Sequence, residues 1–504
     1  MIILVDYASP SVFESTRDAA LLAFSTSARR PVRFHGVVRR HGFNLRIALR
    51  ALGEAIWSND SWVAATEMLD PVVTVHPDRI FFEAFSQDQS VYAALIVDPS
   101  IFETEGEIIT GTTNIDFTAW LWGALGEMRT GRRTSFRIGP EGFEVATTGA
   151  GGRFERKVDV PESWVRGFLQ VQAAMAMPGI HLDIQPVDLL AAVRFLRYIK
   201  AKMSPRALRY EFEPGHDARL VLEPWEHVVP LAGAAHNYTE SKVTRVWGRR
   251  RLKLIEGLLP FAESVRVYLK GRALPSFYAV KLAGMTFVLG LSSFSEAGFA
   301  GTGGFDLLGD DAEASEALLG PTLELLRGQY HQSTAEVAAT LGVDASQATR
   351  LLTRICRQGR CMFDVESRRY RFRELFEVPA DELQYFPPDL RRELAARLIA
   401  DGRVRVESCS TSETIKTRRL KTPDGPVDRQ ISYRDWHIHG EVGEIPEVQA
   451  VVNDEGSIIF GRCSCPFFDA NLMRQGPCEH ILALFQASAG QRVDRPTSVP
   501  ATDP

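Results

Sequence analysis

The chain has 504 residues, of which 45% are hydrophobic, 24% charged and 10% aromatic. That length exceeds what one core uses and suggests about three domains, while the balance excludes wholesale disorder. The formal net charge of −5 excludes a protein that is basic over its whole surface, so any contact with nucleic acid requires a local basic face.

No run of eighteen or more uninterrupted apolar residues occurs, and the start MIILVDYASP lacks the basic and apolar regions of a secretory signal. A cytoplasmic protein without membrane contact is expected. Six cysteines in a chain of this length do not make a disulfide framework, and in a reducing compartment clustered thiols point to a metal.

The fold class expected is α+β and multidomain. Residues 1–297 alternate strand-like and helix-like stretches and read as an α+β interaction region, divisible into two subdomains. Hairpins are predicted for Arg79 to Phe85 with Val91 to Val97, for the flanks of Gly139 to Gly142, and for Phe277 to Leu282 with Thr286 to Leu291. Helices are predicted at Glu162 to Met175, opened by Pro161, and at Val187 to Lys202. This region contains no Gly-Lys dipeptide, HExxH or GxSxG, so no Walker-type loop, zincin or nucleophile-elbow chemistry is expected. Its scattered acids and histidines, such as His181, Asp183, His216, Asp217, Glu226 and His227, do not form a constellation by spacing alone. No small-molecule substrate is recognised, and a non-enzymatic chain is expected. A hydrolytic or nucleotide site in this region is the competing hypothesis.

Residues 298–320 open with GFAGTGGFDLLGDD, which has five glycines and no periodic apolar face, and read as a linker. Residues 321–378 then sharpen into three short helices, PTLELLRGQY, TAEVAATLGV and DASQATRLLTRICRQGR, the last with Asp344 as its N-cap. CMFDVESRRYRF, Cys361 to Phe372, alternates apolar and polar residues about Glu366 and Ser367 and reads as a two-stranded wing. Ala338, Gly342 and Val343 resemble the crossing, turn and plug of a helix-turn-helix, so the whole segment looks like a winged helix. On that resemblance Ser346, Gln347, Thr349, Arg350 and Arg354 lie on the recognition helix where base edges or phosphates are met. Arg368, Arg369 and Arg371 in the wing form the basic face, which KTRRLK at 416 to 421 extends. The competing reading is a protein-docking unit with a solvated basic wing.

Residues 400–487 hold strand candidates at Val404 to Glu407, Thr414 to Leu420, Gln430 to His437, Val448 to Val452 and Ser457 to Phe460, followed by GRCSCPFFDANLMRQGPCEH. Cys463 and Cys465 lie two apart, and in an extended segment such residues share a face. Cys478 and His480 repeat the spacing after twelve residues. Two such clamps supply the four ligands of a closed tetrahedral zinc site. Iron fits less well, since iron-sulfur clusters take four cysteines, and Cys-x-Cys lacks the spacing of a redox pair. Incidental buried cysteines are the remaining alternative.

The pattern C-x-C followed by C-x-H, with CSCP, PCEHILALF and a hydrophobic helix after it, resembles the SWIM-type zinc finger. The resemblance implies one structural Zn²⁺, a ββα unit that binds DNA or proteins, and no reaction. Three thiolates and a neutral imidazole around Zn²⁺ leave one net negative charge, which Arg462 and Arg474 are placed to offset. His437 and His439 share a strand face but lack a third ligand, so they read as surface histidines. The N-terminal layout resembles the region before SWIM fingers in some bacterial proteins, which implies an AAA+ ATPase of MoxR type or a von Willebrand A protein as partner, beside DNA. Residues 488–504 read as a disordered tail.

Overall fold

In the computed structural model the described residues are 4–5, 12–15, 19–25, 32–57, 71–115, 117, 119–128, 133–139, 158–159, 162–200, 206–271, 274–293, 299, 315–375, 390–422, 425–453, 458–473 and 477–491. In chain order the elements are β1 (Leu4–Val5), β2 (Val12–Ser15), β3 (Ala19–Ser25), β4 (Phe34–Val38), α1 (Gly42–Trp57), β5 (Val72–Val75), β6 (Ile80–Phe85), β7 (Val91–Val97), β8 (Phe102–Thr104), β9 (Gly111–Asn114), α2 (Ala119–Ala124), β10 (Arg133–Gly139), β11 (Val158–Asp159), α3 (Glu162–Ala176), β12 (Ile180–Ile184) and α4 (Pro186–Tyr198). Then come β13 (Leu208–Phe212), β14 (Arg219–Leu222), β15 (His227–Pro230), β16 (Lys242–Val246), β17 (Ser264–Leu269), β18 (Ser276–Leu282), β19 (Met285–Leu291), α5 (Glu316–Gln329), β20 (His331–Gln332), α6 (Thr334–Leu341), α7 (Ala345–Arg357), β21 (Cys361–Asp364), β22 (Arg369–Phe372) and α8 (Leu390–Ala400). The C-terminal elements are β23 (Val404–Thr422), β24 (Gly425–Val442), β25 (Ile445–Asn453), β26 (Ile458–Arg462), α9 (Pro466–Asn471) and α10 (Glu479–Ala487). The class is α+β with several sheets. Among the described residues no helix is long and apolar enough to cross a membrane.

An eight-stranded sheet, ordered β12-β17-β18-β19-β7-β6-β5-β9, organises the N-terminal region. Its central strands are buried along their whole length, VYAALIV and MTFVLGL without a single exposed residue, because both faces are covered. Val91, Ala93, Leu95 and Val97 of β7 enter one core with α1 and α4. Tyr92, Ala94 and Ile96 enter a second, built from α3 and from Met362, Val365 and Leu375 of the segment that follows α7. The predicted hairpins β6–β7 and β18–β19 form in register. Arg133 to Gly139 pairs with Ala19–Ser25 and Phe34–Val38, and the far flank of the Gly139 to Gly142 turn lies outside the described residues.

Residues 315–375 form three helices on a small sheet ordered β20-β22-β21. The first helix begins at Glu316, five residues before the Pro321 start read from sequence, and carries that proline internally. Most of the glycine-rich stretch ahead of it lies outside the described residues. Ser333 and Glu336 make a reciprocal capping box on α6, Gly342 closes that helix at φ +65°, and Asp344 accepts from the Gln347 amide at 2.8 Å. Each matches its residue chemistry, since glycine alone enters the left-handed region freely and Ser or Asp at an N-cap accepts an orphan amide.

The C-terminal sheet runs β23-β24-β25-β26 in antiparallel order. The separate strand candidates at 404 to 407 and 414 to 420 join into one 19-residue strand that pairs with the 18-residue β24 from Val404↔Val442 to Thr422↔Gly425. Among the described residues β25 meets β24 only from Asp435 onward, and the hairpin beyond that point is a two-stranded arm. Trp436, Ile438, Val448, Ala450 and Val452 bury one face of the sheet against Ile481 and Leu484 of α10, with Ala395 of α8. Gly440 permits the close packing: a Cβ there would lie 2.3 Å from Arg405 O and 2.8 Å from Leu484 Cδ1.

Candidate metal centre and basic faces

Cys463 follows the last residue of β26, and Cys465 is the N-cap of α9, its Sγ accepting from the Phe468 amide at 3.4 Å. Cys478 is the N-cap of α10, and His480 lies in its first turn. The two clamps therefore sit where chain enters a helix, with the helix N-termini favouring thiolate over thiol, and not within extended strands as the spacing alone predicts. The four ligand atoms all lie within 4.8 Å of one another, and among the described residues no other such group of three or more occurs.

The three cysteines are buried, and His480 Nδ1 is buried with no hydrogen-bond partner among the described residues. Hydrogen bonding with Cys478 holds the Cys463 thiol below its ordinary value. The same bond, with burial, pushes Cys478 up to about 12, and burial raises Cys465. Three thiols packed this closely contest their protons, and a divalent cation removes the conflict by displacing them. Sulfur and nitrogen donors in a closed set of four are the zinc preference, and they leave no open coordination position for a substrate. The site fits one structural zinc ion.

Arg462 ends β26 exposed, and Arg474 lies outside the described residues. A cation that sequence reading missed sits nearby: Arg391 of α8 donates to Pro477 O at 3.3 Å, directly before Cys478, and stacks 5.1 Å from the Phe467 ring. Nothing in its local sequence marks it, because it comes from 87 residues upstream of the ligand it adjoins. His437 reaches Ser412 Oγ at 3.1 Å and, with His439, belongs to no metal group among the described residues.

On α7, Ser346 and Thr349 are exposed, Gln347, Arg350 and Arg354 partly so; Thr349 donates back to Ala345 O and Arg350 to Ser346 Oγ, each at 2.7 Å. The arginines after it differ from a solvated basic wing. Arg368 is exposed, yet Arg369 is bidentate with Glu336 at 2.8 and 2.9 Å. Arg371 is 2% exposed and holds Asp364 at 2.8 Å and both oxygens of Asp78 at 3.0 Å. Its guanidinium is thus committed inward and unavailable to a phosphate. Arg373 meets Glu83 at 2.8 and 2.6 Å with both side chains fully buried. Tyr92 donates to the same carboxylate at 2.7 Å, His76 Nε2 lies 2.8 Å from Phe372 O, and Tyr268 donates to Val365 O at 2.8 Å. The alternation seen in sequence is real, but one parity of it faces the eight-stranded sheet.

No curated protein shows significant similarity to the chain. Among solved structures it is loosely similar to the Proliferating Cellular Nuclear Antigen of Entamoeba histolytica, at 11% identity and a TM-score of 0.33 over 51% of this chain and 98% of that one. It is similarly related to PCNA of Thermococcus kodakaraensis, at 12% and 0.34 over 51% and 99%. Neither likeness carries weight at that score. The family description that matches is "SWIM zinc finger", over residues 448–489, which hold the greater part of β25, all of β26, α9 and α10, and all four metal ligands. Residues 448–489 match the SWIM zinc finger description and hold the Cys463, Cys465, Cys478 and His480 cluster.

Proposed function

We propose that the chain is a non-enzymatic, zinc-stapled adaptor that binds DNA and a protein partner. The observation that carries this is the closed set of four ligands, which commits the metal to holding the module together and not to chemistry. The order α5-β20-α6-α7-β21-β22 supports reading this segment as a winged helix, in which α7 would be the recognition helix and Ser346, Thr349 and Arg350 its outward positions. A mobility-shift titration of the full chain against duplex DNA in rising salt tests it: affinity falls steeply with salt if phosphates are contacted, and no shift at any salt removes the DNA arm.

The inward wing favours a second reading. With Arg371 and Arg373 locked to Asp78 and Glu83, the helical unit is a structural joint to the N-terminal region. That suits a purely protein-binding scaffold, for which an AAA+ ATPase of MoxR type or a von Willebrand A protein is the proposed partner. Co-purification from the native host separates the readings.

A further inference from the structure

The SWIM sheet has one covered face and one open face. α8 and α10 pack the first, where a Cβ at Gly461 would meet Ile481 Cδ1 at 2.8 Å. Residues of the opposite parity form the second. The pairing register lays them out in rows across four strands: Ser410, His437, Val451, Phe460, and beside it Ser408, His439, Gln449, Arg462. Phe460 is 52% exposed, Arg462 and the serines are exposed, and both histidines are partly so. An open phenylalanine on this sheet, two strands and about 10 Å from an imidazole in its own row, has no use in the core already built on the other side.

The two-stranded arm continues this sheet, and its backbone register pairs Lys416 with Ile431 and Arg418 with Arg429. Residues 413–434 carry six Lys and Arg against three Asp and Glu, a local excess of three positive charges in a chain whose net charge is −5. Acidic groups on this side of the sheet stand at its far end: Glu441 is 3.5 Å from Arg405 and Glu447 accepts from Gln449 at 2.7 Å. Asp435 lies at the root of the arm.

We propose that this open face, with the arm as its extension, binds single-stranded nucleic acid: Phe460 and the histidine pair stack on unpaired bases, while Arg462 and the net positive charge of residues 413–434 attract the phosphates. Aromatic rings on an open sheet reach bases only when these are unpaired, and duplexes hide the faces that such rings need. The inference deepens the nucleic-acid arm of the function proposed above and moves its contact surface from α7 to the SWIM sheet.

The test is fluorescence anisotropy of the zinc-loaded full chain with a labelled 20-mer as DNA strand, as RNA strand and as blunt DNA duplex, over a series of salt concentrations. The expected result is tighter binding of a strand than of the duplex, the DNA and RNA arms deciding which strand is preferred. F460A then weakens strand binding about 5- to 100-fold with the salt slope unchanged, and F460L, which keeps the bulk but not the ring, weakens it as well. K416Q/R418Q/R429Q lowers the slope by about two. Zinc content confirms that each variant is folded. Strand binding by F460A and F460L equal to wild type overturns the proposal. So does a preference for duplex that S346A/R350A abolishes, which leaves the α7 reading standing; binding to none of the three probes overturns both.

Discussion

Replacing Arg373 by methionine tests the joint between the helical unit and the eight-stranded sheet. The Arg373 and Glu83 side chains are fully buried, so no solvent takes over when the guanidinium is removed. The carboxylate keeps one hydrogen bond, from Tyr92 at 2.7 Å. Breaking a buried pair from one side costs about 3–5 kcal/mol, and Glu83→Leu alone should cost a similar amount. The pair is also imperfect: Arg373 Nε and Nη2 are buried without a hydrogen-bond partner among the described residues, each a burden of about 1–3 kcal/mol. Removing both partners should therefore recover most of either single loss, short of the about 1–3 kcal/mol for the Tyr92 hydroxyl that loses its acceptor and of the guanidinium's position 5.5 Å from the Phe168 ring. Urea titration of the wild type, the two single variants and the double variant measures the cycle. Additive losses, or single losses under about 1 kcal/mol, would refute the inward wing and return these arginines to the solvent.

Cys478→Ser should reduce zinc from one per chain to a substoichiometric level and unfold the C-terminal module, since a structural site contributes on the order of 10 kcal/mol; limited proteolysis should then cleave beyond residue 390 and spare the N-terminal region, and an intact, protease-resistant module would count against the structural role. His76 is lowered from 6.5 to about 4 by burial and by Arg371. The unfolded chain therefore takes up the proton first, and stability falls as pH drops from 6.5 toward 4, by on the order of 3 kcal/mol. Denaturant midpoints across that range should decline less in His76→Gln than in the wild type, and equal slopes would reject the assignment.

The zinc ligands were legible because tetrahedral coordination imposes spacing on the chain itself: two pairs of donors, each two residues apart, converge whatever backbone carries them. The cap at Asp344 and the turn at Gly342 were legible for the same local reason. Arg371 and Arg373 were not, because their partners Asp78 and Glu83 come from almost 300 residues away and an alternating strand does not say which of its faces meets solvent. β23 was split in two because Ser410 to Thr414 is polar on both faces. A strand outside any core has no apolar alternation to announce it.

The arm and the metal site share one mechanical element, for β24 runs unbroken from Gly425 at the arm's tip to Val442 beneath α10. Beyond Asp435 the arm has ten residues on each strand, Glu413 to Thr422 and Gly425 to Arg434, a reach of roughly 30 Å. A pull directed along it loads the whole ladder of cross-strand bonds at once, as shear, and delivers the force to the one part of the lobe that coordination bonds reinforce.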